Sequence, residues 1–226
     1  MKKLIFLTAI TVLFIGTASA LTYQQAQVNA LICVELVKFS AELTSPTMND
    51  FMLKSKKVVF DKNGSVYIIE KSFGDIKFKY LDKNKKPITG KNLSEAFNNA
   101  YKNAVSVEIE IRNKLLYSGK LTVTYANPAK KHENLFIEGT LMIKSGKDEV
   151  TYKIAEKLTV KALTPATTVL SGGVLKSDGA FKDMIIIDFS KNVMSSGVDA
   201  AATPVAKFNS EKRSKKIENL KLLLSK

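Results

Sequence analysis

The run Val105-Ser106-Val107-Glu108-Ile109-Glu110-Ile111-Arg112 alternates apolar and polar residues without exception. Successive side chains of an extended strand point to opposite faces, so this run predicts a strand with one dry and one wet side. The pattern recurs. Leu121, Val123 and Tyr125 alternate with Lys120, Thr122 and Thr124; Leu135, Ile137, Leu141 and Ile143 share one face of the next run. Val150, Tyr152, Ile154, Leu158 and Val160 share one face of the run after that. Short turns at Ser118-Gly119 and Ser145-Gly146-Lys147-Asp148 separate some of these runs. A series of one-sided strands joined by short turns is an antiparallel meander. Upstream, Asn63-Gly64 marks a hairpin between residues 57–61 and 65–71, and Ile76, Phe78 and Tyr80 alternate with Lys77 and Lys79. Residues 184–189 form a later, mostly apolar strand.

One-sided strands need something to cover their dry face. Residues 24–43 read as a helix whose polar residues Gln24, Gln27, Glu35, Lys38 and Glu42 keep to a narrow stripe. The rest of its circumference is apolar, the reverse of a surface helix, so it expects contact on most sides. Pro46 is expected to end it. A second helix spans 92–104, with Asn92 as its cap and Glu95 in capping-box position. The predicted fold class is therefore α+β: a curved antiparallel meander of about seven to nine strands packed around the N-terminal helix, with an inserted helix and a C-terminal helix. By element order alone this resembles cystatin-like folds and the half-barrels of periplasmic lipid carriers, an analogy of fold that carries no function.

A faint repeat runs through the strands. Lys120-Leu121-Thr122-Val123 recurs as Lys157-Leu158-Thr159-Val160, and Gly139 with Lys144-Ser145-Gly146 is echoed by Gly173 with Lys176-Ser177-Asp178-Gly179. Two copies are too few for a solenoid, and duplication and chance likeness of two hairpins both stay open.

The ends of the chain carry their own signals. Met1-Lys2-Lys3, an uncharged stretch over 4–15 and Ala18-Ser19-Ala20 make the three parts of a secretory signal peptide, residues 1–20. The expected location is exported, periplasmic or extracellular, with no transmembrane segment after cleavage. The α+β domain is then 21–194, followed by a small-residue linker at 195–209. Residues 210–226 read as a basic amphipathic helix, with Ile217, Leu220, Leu223 and Leu224 on one stripe. Lys212, Arg213, Lys215 and Lys216 crowd its start and are the candidate contacts to a membrane or an anionic polymer.

Composition narrows the function. A net charge of +14 suggests an anionic partner, but 33 of the 35 basic residues are lysine. Segments 21–100, 101–163 and 164–226 each carry +4. Arginine is the residue suited to phosphate and base recognition, so nucleic acid is not an expected partner. A single His, His132 in a polar loop, and a single Cys, Cys33 in an apolar helix, leave no metal site and no His-based triad to build on. Asp61/Asn63 and Asp82/Asn84 lack the sixth-place glycine and closing glutamate of a calcium loop and read as turns. No cofactor is expected, no catalytic residue stands out, and the ligand-binding residues and oligomeric state are not specified. The leading reading is an exported, non-catalytic binding protein that holds a hydrophobic ligand or a partner segment in the concave face of the sheet. The alternative is a cell-envelope interaction module contacting anionic polymer or membrane. A carboxylate-based hydrolase is the second alternative, since two scattered carboxylates could meet in a cleft.

Overall fold

The alternating runs form the strands they predict. In the computed structural model, residues 23–70, 74–131, 133–145, 148–164, 167–178, 185–195 and 203–204 are described. Among them lie three helices, α1 (Tyr23–Leu43), α2 (Pro46–Lys54) and α3 (Leu93–Asn103). The strands are β1 (Val58–Phe60), β2 (Ser65–Glu70), β3 (Gly74–Leu81), β4 (Ser106–Asn113), β5 (Tyr117–Tyr125), β6 (Leu135–Ser145), β7 (Asp148–Thr164), β8 (Thr167–Asp178), β9 (Ile186–Asp188), β10 (Val193–Ser195) and β11 (Thr203–Pro204). Each strand pairs antiparallel with the next, so sheet order is chain order. The fold is an α+β antiparallel meander, as the periodicity requires.

Four details correct the sequence reading. The turn expected at Ser118-Gly119 lies inside β5, and the chain turns at residues 114–116 instead. The described sheet has eleven strands rather than seven to nine. Strand β8 escapes an alternation test because Ser171-Gly172-Gly173 interrupts it, β9 falls within the apolar run expected at 184–189, and β10 and β11 have at most three residues each. Next, Pro46 ends one helix and begins another. Ser45 caps α2, its Oγ accepting from Met48 N–H at 3.2 Å, and Pro46 occupies a first-turn position that needs no N–H donor. Finally, the sheet does not pack evenly around the N-terminal helix: α1 seats chiefly on β5 to β8. Two expectations lie outside the described residues, namely the signal peptide at 1–20 and the helix at 210–226. Of the segment 195–209, Thr203 and Pro204 pair with Met194 and Val193.

Helix α3 starts as expected, with Asn92 Oδ1 accepting from Glu95 N–H at 2.9 Å. The Glu95 carboxylate reaches one residue farther back than a capping box prescribes, to Lys91 N–H at 3.0 Å.

The core is one continuous cluster on the inner face of the sheet. It takes Val107, Ile109 and Ile111 from β4, Leu121 and Val123 from β5, Ile137 and Leu141 from β6, and Leu158 and Val160 from β7. Cys33, Val37, Phe39 and Leu43 of α1 enter it with no exposed surface. Phe97 of α3 meets Tyr80 edge-on at 6.1 Å, and Tyr80 meets Phe78 likewise at 5.8 Å.

Curvature is built at two glycines. Gly139 has φ +133° and Gly173 has φ +91°, backbone states that a side chain resists. A Cβ on Gly139 would collide with the Lys120 carbonyl, and one on Gly173 with the Lys157 carbonyl. Lys120 and Lys157 are the first residues of the two Lys-Leu-Thr-Val copies, so the faint repeat corresponds to two like strand contacts. Between the two glycines β7 bends. Ala155, Glu156 and Lys157 are all exposed, while Ile154 and Leu158 on either side are buried. The register shifts once between β6 and β7, and four times between β7 and β8.

Candidate functional site

Neither the contact residues expected at the C-terminus, Lys212, Arg213, Lys215 and Lys216, nor His132 falls among the described residues. The site must be sought in the sheet and its helices, and three surfaces differ in what they can do.

The first is the inner face, where a ligand was expected. Helix α1 covers it. From Asn29 to Ser45 only Leu31, Ile32 and Glu35 are even half-buried, and every other residue is buried. The C-terminal part of the polar stripe does not reach water either: Lys38 and Glu42, one helical turn apart, are each only 3% exposed. Buried charges persist only when hydrogen-bonded or paired, and Glu42 Oε1 accepts from Thr168 Oγ of β8 at 3.1 Å. The sequence supplied the Lys38–Glu42 spacing but not the β8 residue that covers it. Cys33 lies fully inside, and burial pushes its thiol pKa well above the ordinary value. Asn29 Nδ2 is a buried donor without a partner among the described residues.

At the end of the sheet where α1 turns into α2, polar groups serve as fasteners. Tyr80 Oη donates to Asn49 Oδ1 at 3.0 Å, tying α2 to β3. Burial raises the Tyr80 phenol far above its usual range and has the same effect on Tyr125. Lys131 Nζ donates to the Pro128 carbonyl at 2.6 Å and stands 5.2 Å from the Tyr125 ring centre. Lys131 is only 5% exposed, and desolvation lowers its pKa. Sequence reasoning placed this residue in a polar loop and missed its anchoring role.

The second surface is the outer face, a ladder of opposite charges. Lys79 pairs with Glu108 at 2.9 Å and Lys120 with Glu110 at 3.5 Å, both directly across strands. Lys144 pairs with Glu149 at 3.2 Å, and Lys157 with Glu138 at 3.3 Å. Lys77 Nζ lies 5.5 Å from the Tyr67 ring centre. Glu108 and Glu110, two carboxylates on the same face of β4, therefore each face a lysine.

The third is the set of turns. Asp61 Oδ1 accepts from Asn63 N–H at 2.8 Å and Ser65 N–H at 2.9 Å. Asp82 Oδ1 does the same for Asn84 and Lys86, at 2.8 and 2.9 Å. Both calcium-like fragments thus use their aspartates to close turns. The Ser65 N–H, ahead of the Tyr67 hydroxyl, holds the Asp61 carboxyl below its ordinary range. The β4–β5 turn is different in kind. Asn113 Oδ1 accepts from Leu115 N–H at 3.1 Å and Leu116 N–H at 3.2 Å, and holds two leucines in the open, 81% and 39% exposed.

Among the described residues no three His, Cys, Asp or Glu side chains gather as a metal site, and no helix is long and apolar enough to cross a membrane. Comparison with protein-family models, curated proteins and solved structures gives no match.

Proposed function

We propose that the protein is an exported, non-catalytic interaction module of the cell envelope, contacting an anionic polymer or membrane through its lysine-rich exterior. Export rests on the signal-peptide pattern of residues 1–20. One observation favours this reading over a carrier of hydrophobic ligands: the chain's own helix takes the inner face that such a ligand would need. Residues 33, 37, 39 and 43 of α1 have no exposed surface. A carrier with this sheet would keep an apolar cavity, whereas here the apolar side chains of strand and helix close on one another. The hydrolase reading loses support on the outer face, where Glu108, Glu110, Glu138 and Glu149 each meet a lysine.

The test is co-sedimentation of the mature chain, and of a chain ending at residue 209, with anionic vesicles, zwitterionic vesicles and a purified anionic cell-wall polymer. The expected result is salt-sensitive binding to an anionic surface, weakened by the truncation. Absence of binding to every anionic surface at low salt overturns the proposal.

A further inference from the structure

The described turns of this molecule are polar at their tips, with one exception. Residues 61–64 read Asp-Lys-Asn-Gly, residues 82–86 read Asp-Lys-Asn-Lys-Lys, and residues 188–192 read Asp-Phe-Ser-Lys-Asn, with Phe189 turned into the core. The β4–β5 turn reads Asn113-Lys114-Leu115-Leu116. Both of its leucines are exposed. They are held outward by a defined backbone: the two N–H bonds to Asn113 Oδ1, a third from Leu116 N–H to the Asn113 carbonyl at 3.3 Å, and Lys144 N–H donating to the Leu116 carbonyl at 2.9 Å. Leu115, 81% exposed, is the most exposed of the large hydrophobic residues described. Tyr117, the next apolar residue, is already buried and roots the turn in the core.

The charged residues nearest the leucines in sequence are cationic. Arg112 and Lys114 are exposed and take no part in the cross-strand ion pairs of the outer face. Lys144, on the neighbouring strand, is engaged with Glu149. Asp75 lies opposite Arg112, and beyond it on the same row Ile69 is 57% exposed. Leucines projecting past a collar of basic side chains match a bilayer, whose acyl region takes the apolar tips while anionic headgroups meet the cations. A hydrated polymer offers the cations a partner but gives the leucines nothing.

We propose that the β4–β5 turn is a membrane-docking tip: Leu115 and Leu116 enter the acyl boundary of an anionic bilayer, and Arg112 and Lys114 contact its headgroups. The inference rests on the envelope reading above and deepens it by naming membrane rather than polymer as the partner.

The test uses the mature chain and vesicles containing about one third anionic lipid. The Leu115→Ser/Leu116→Ser variant is expected to lose about tenfold or more in vesicle affinity, the scale of two leucines withdrawn from an apolar phase, with an unchanged melting temperature because both side chains are exposed. A Leu115→Cys variant carrying a polarity-sensitive fluorophore should shift to the blue on vesicles; Cys33 is buried and stays unlabelled. Equal vesicle affinity of the wild type and the double variant, or an unshifted fluorophore on bound protein, overturns the docking tip while leaving the envelope reading intact. Failure of the wild type to bind any vesicle also overturns it, and the polymer arm then decides the envelope reading alone.

Discussion

From β2 to β6 every ladder runs without a break in register, whereas from β6 to β8 the register shifts five times. The broken half is the half on which α1 sits. A regular antiparallel sheet twists but does not fold sharply over a helix, and bulges with positive-φ glycines supply the local bend. Gly139 and Gly173 stand on either side of the bend in β7. The unbroken half ends instead in the exposed turn at 113–117, while the cross-strand ion pairs of the outer face are shared, two in β3 to β5 and two between β6 and β7. The difference assigns the two halves different work: one half seats the chain's own helix, whose described residues from Asn29 to Ser45 are mostly buried, and the other ends in a turn that presents two leucines to the surroundings.

Substitutions can break this contrast directly. Gly139→Val should cost about 3 kcal/mol or more by denaturant unfolding, since it adds left-handed strain to a collision with the Lys120 backbone. Gly119→Ala, in the regular half, has no positive φ and crowds the buried Leu141 side chain rather than a strained backbone, so it should cost about 1–2 kcal/mol, less than Gly139→Val. Equal costs would remove glycine geometry as the source of the bend. A smaller effect is expected at the polar contact that ties helix to strand. Thr168→Val leaves the buried Glu42 carboxylate short of a donor and should cost about 1–3 kcal/mol, while Thr122→Val on the half-exposed outer face should change stability by less than about 0.5 kcal/mol. The smallest effect belongs to the ion-pair ladder. A double-mutant cycle on Lys79 and Glu108, which are 35% and 47% exposed, should give a coupling of at most about 0.5 kcal/mol that fades in high salt. A coupling several times larger would make the outer face a structural element rather than a solvated surface.

Sequence and structure agree where a short-range rule decides the outcome. The alternation over 105–112 places Val107, Ile109 and Ile111 inside and Glu108 and Glu110 outside without reference to any other part of the chain. Asn92 caps α3 because its own side chain reaches Glu95 N–H. The reading fails where two rules share a residue or where the partner is distant. Pro46 satisfies both the end of α1 and the start of α2, so one signal stood for two events. Gly172 and Gly173 interrupt the alternation of β8, and of the two Gly173, with φ +91°, is held by the close approach of Lys157. Lys38 and Glu42 have the residue types of a wet stripe, and the partner that meets Glu42 in the interior, Thr168, arrives from 126 positions away. The leucine tip was legible in principle: two apolar residues stand where the neighbouring turns carry Asp-Lys-Asn. Its exposure follows from the outward hold of Asn113, which a search for catalytic or ligating residue types passes over.

The central proposal is that α1 takes the inner face over β5 to β8 in place of a ligand. Native mass spectrometry of the mature chain, purified from its own compartment without delipidation, tests it most directly when paired with titration by a fluorescent apolar probe. The account predicts the mass of the bare polypeptide and no saturable probe binding. A stoichiometric bound lipid, or saturable binding lost when Phe39 is replaced by a polar residue in a chain that still folds, would contradict it.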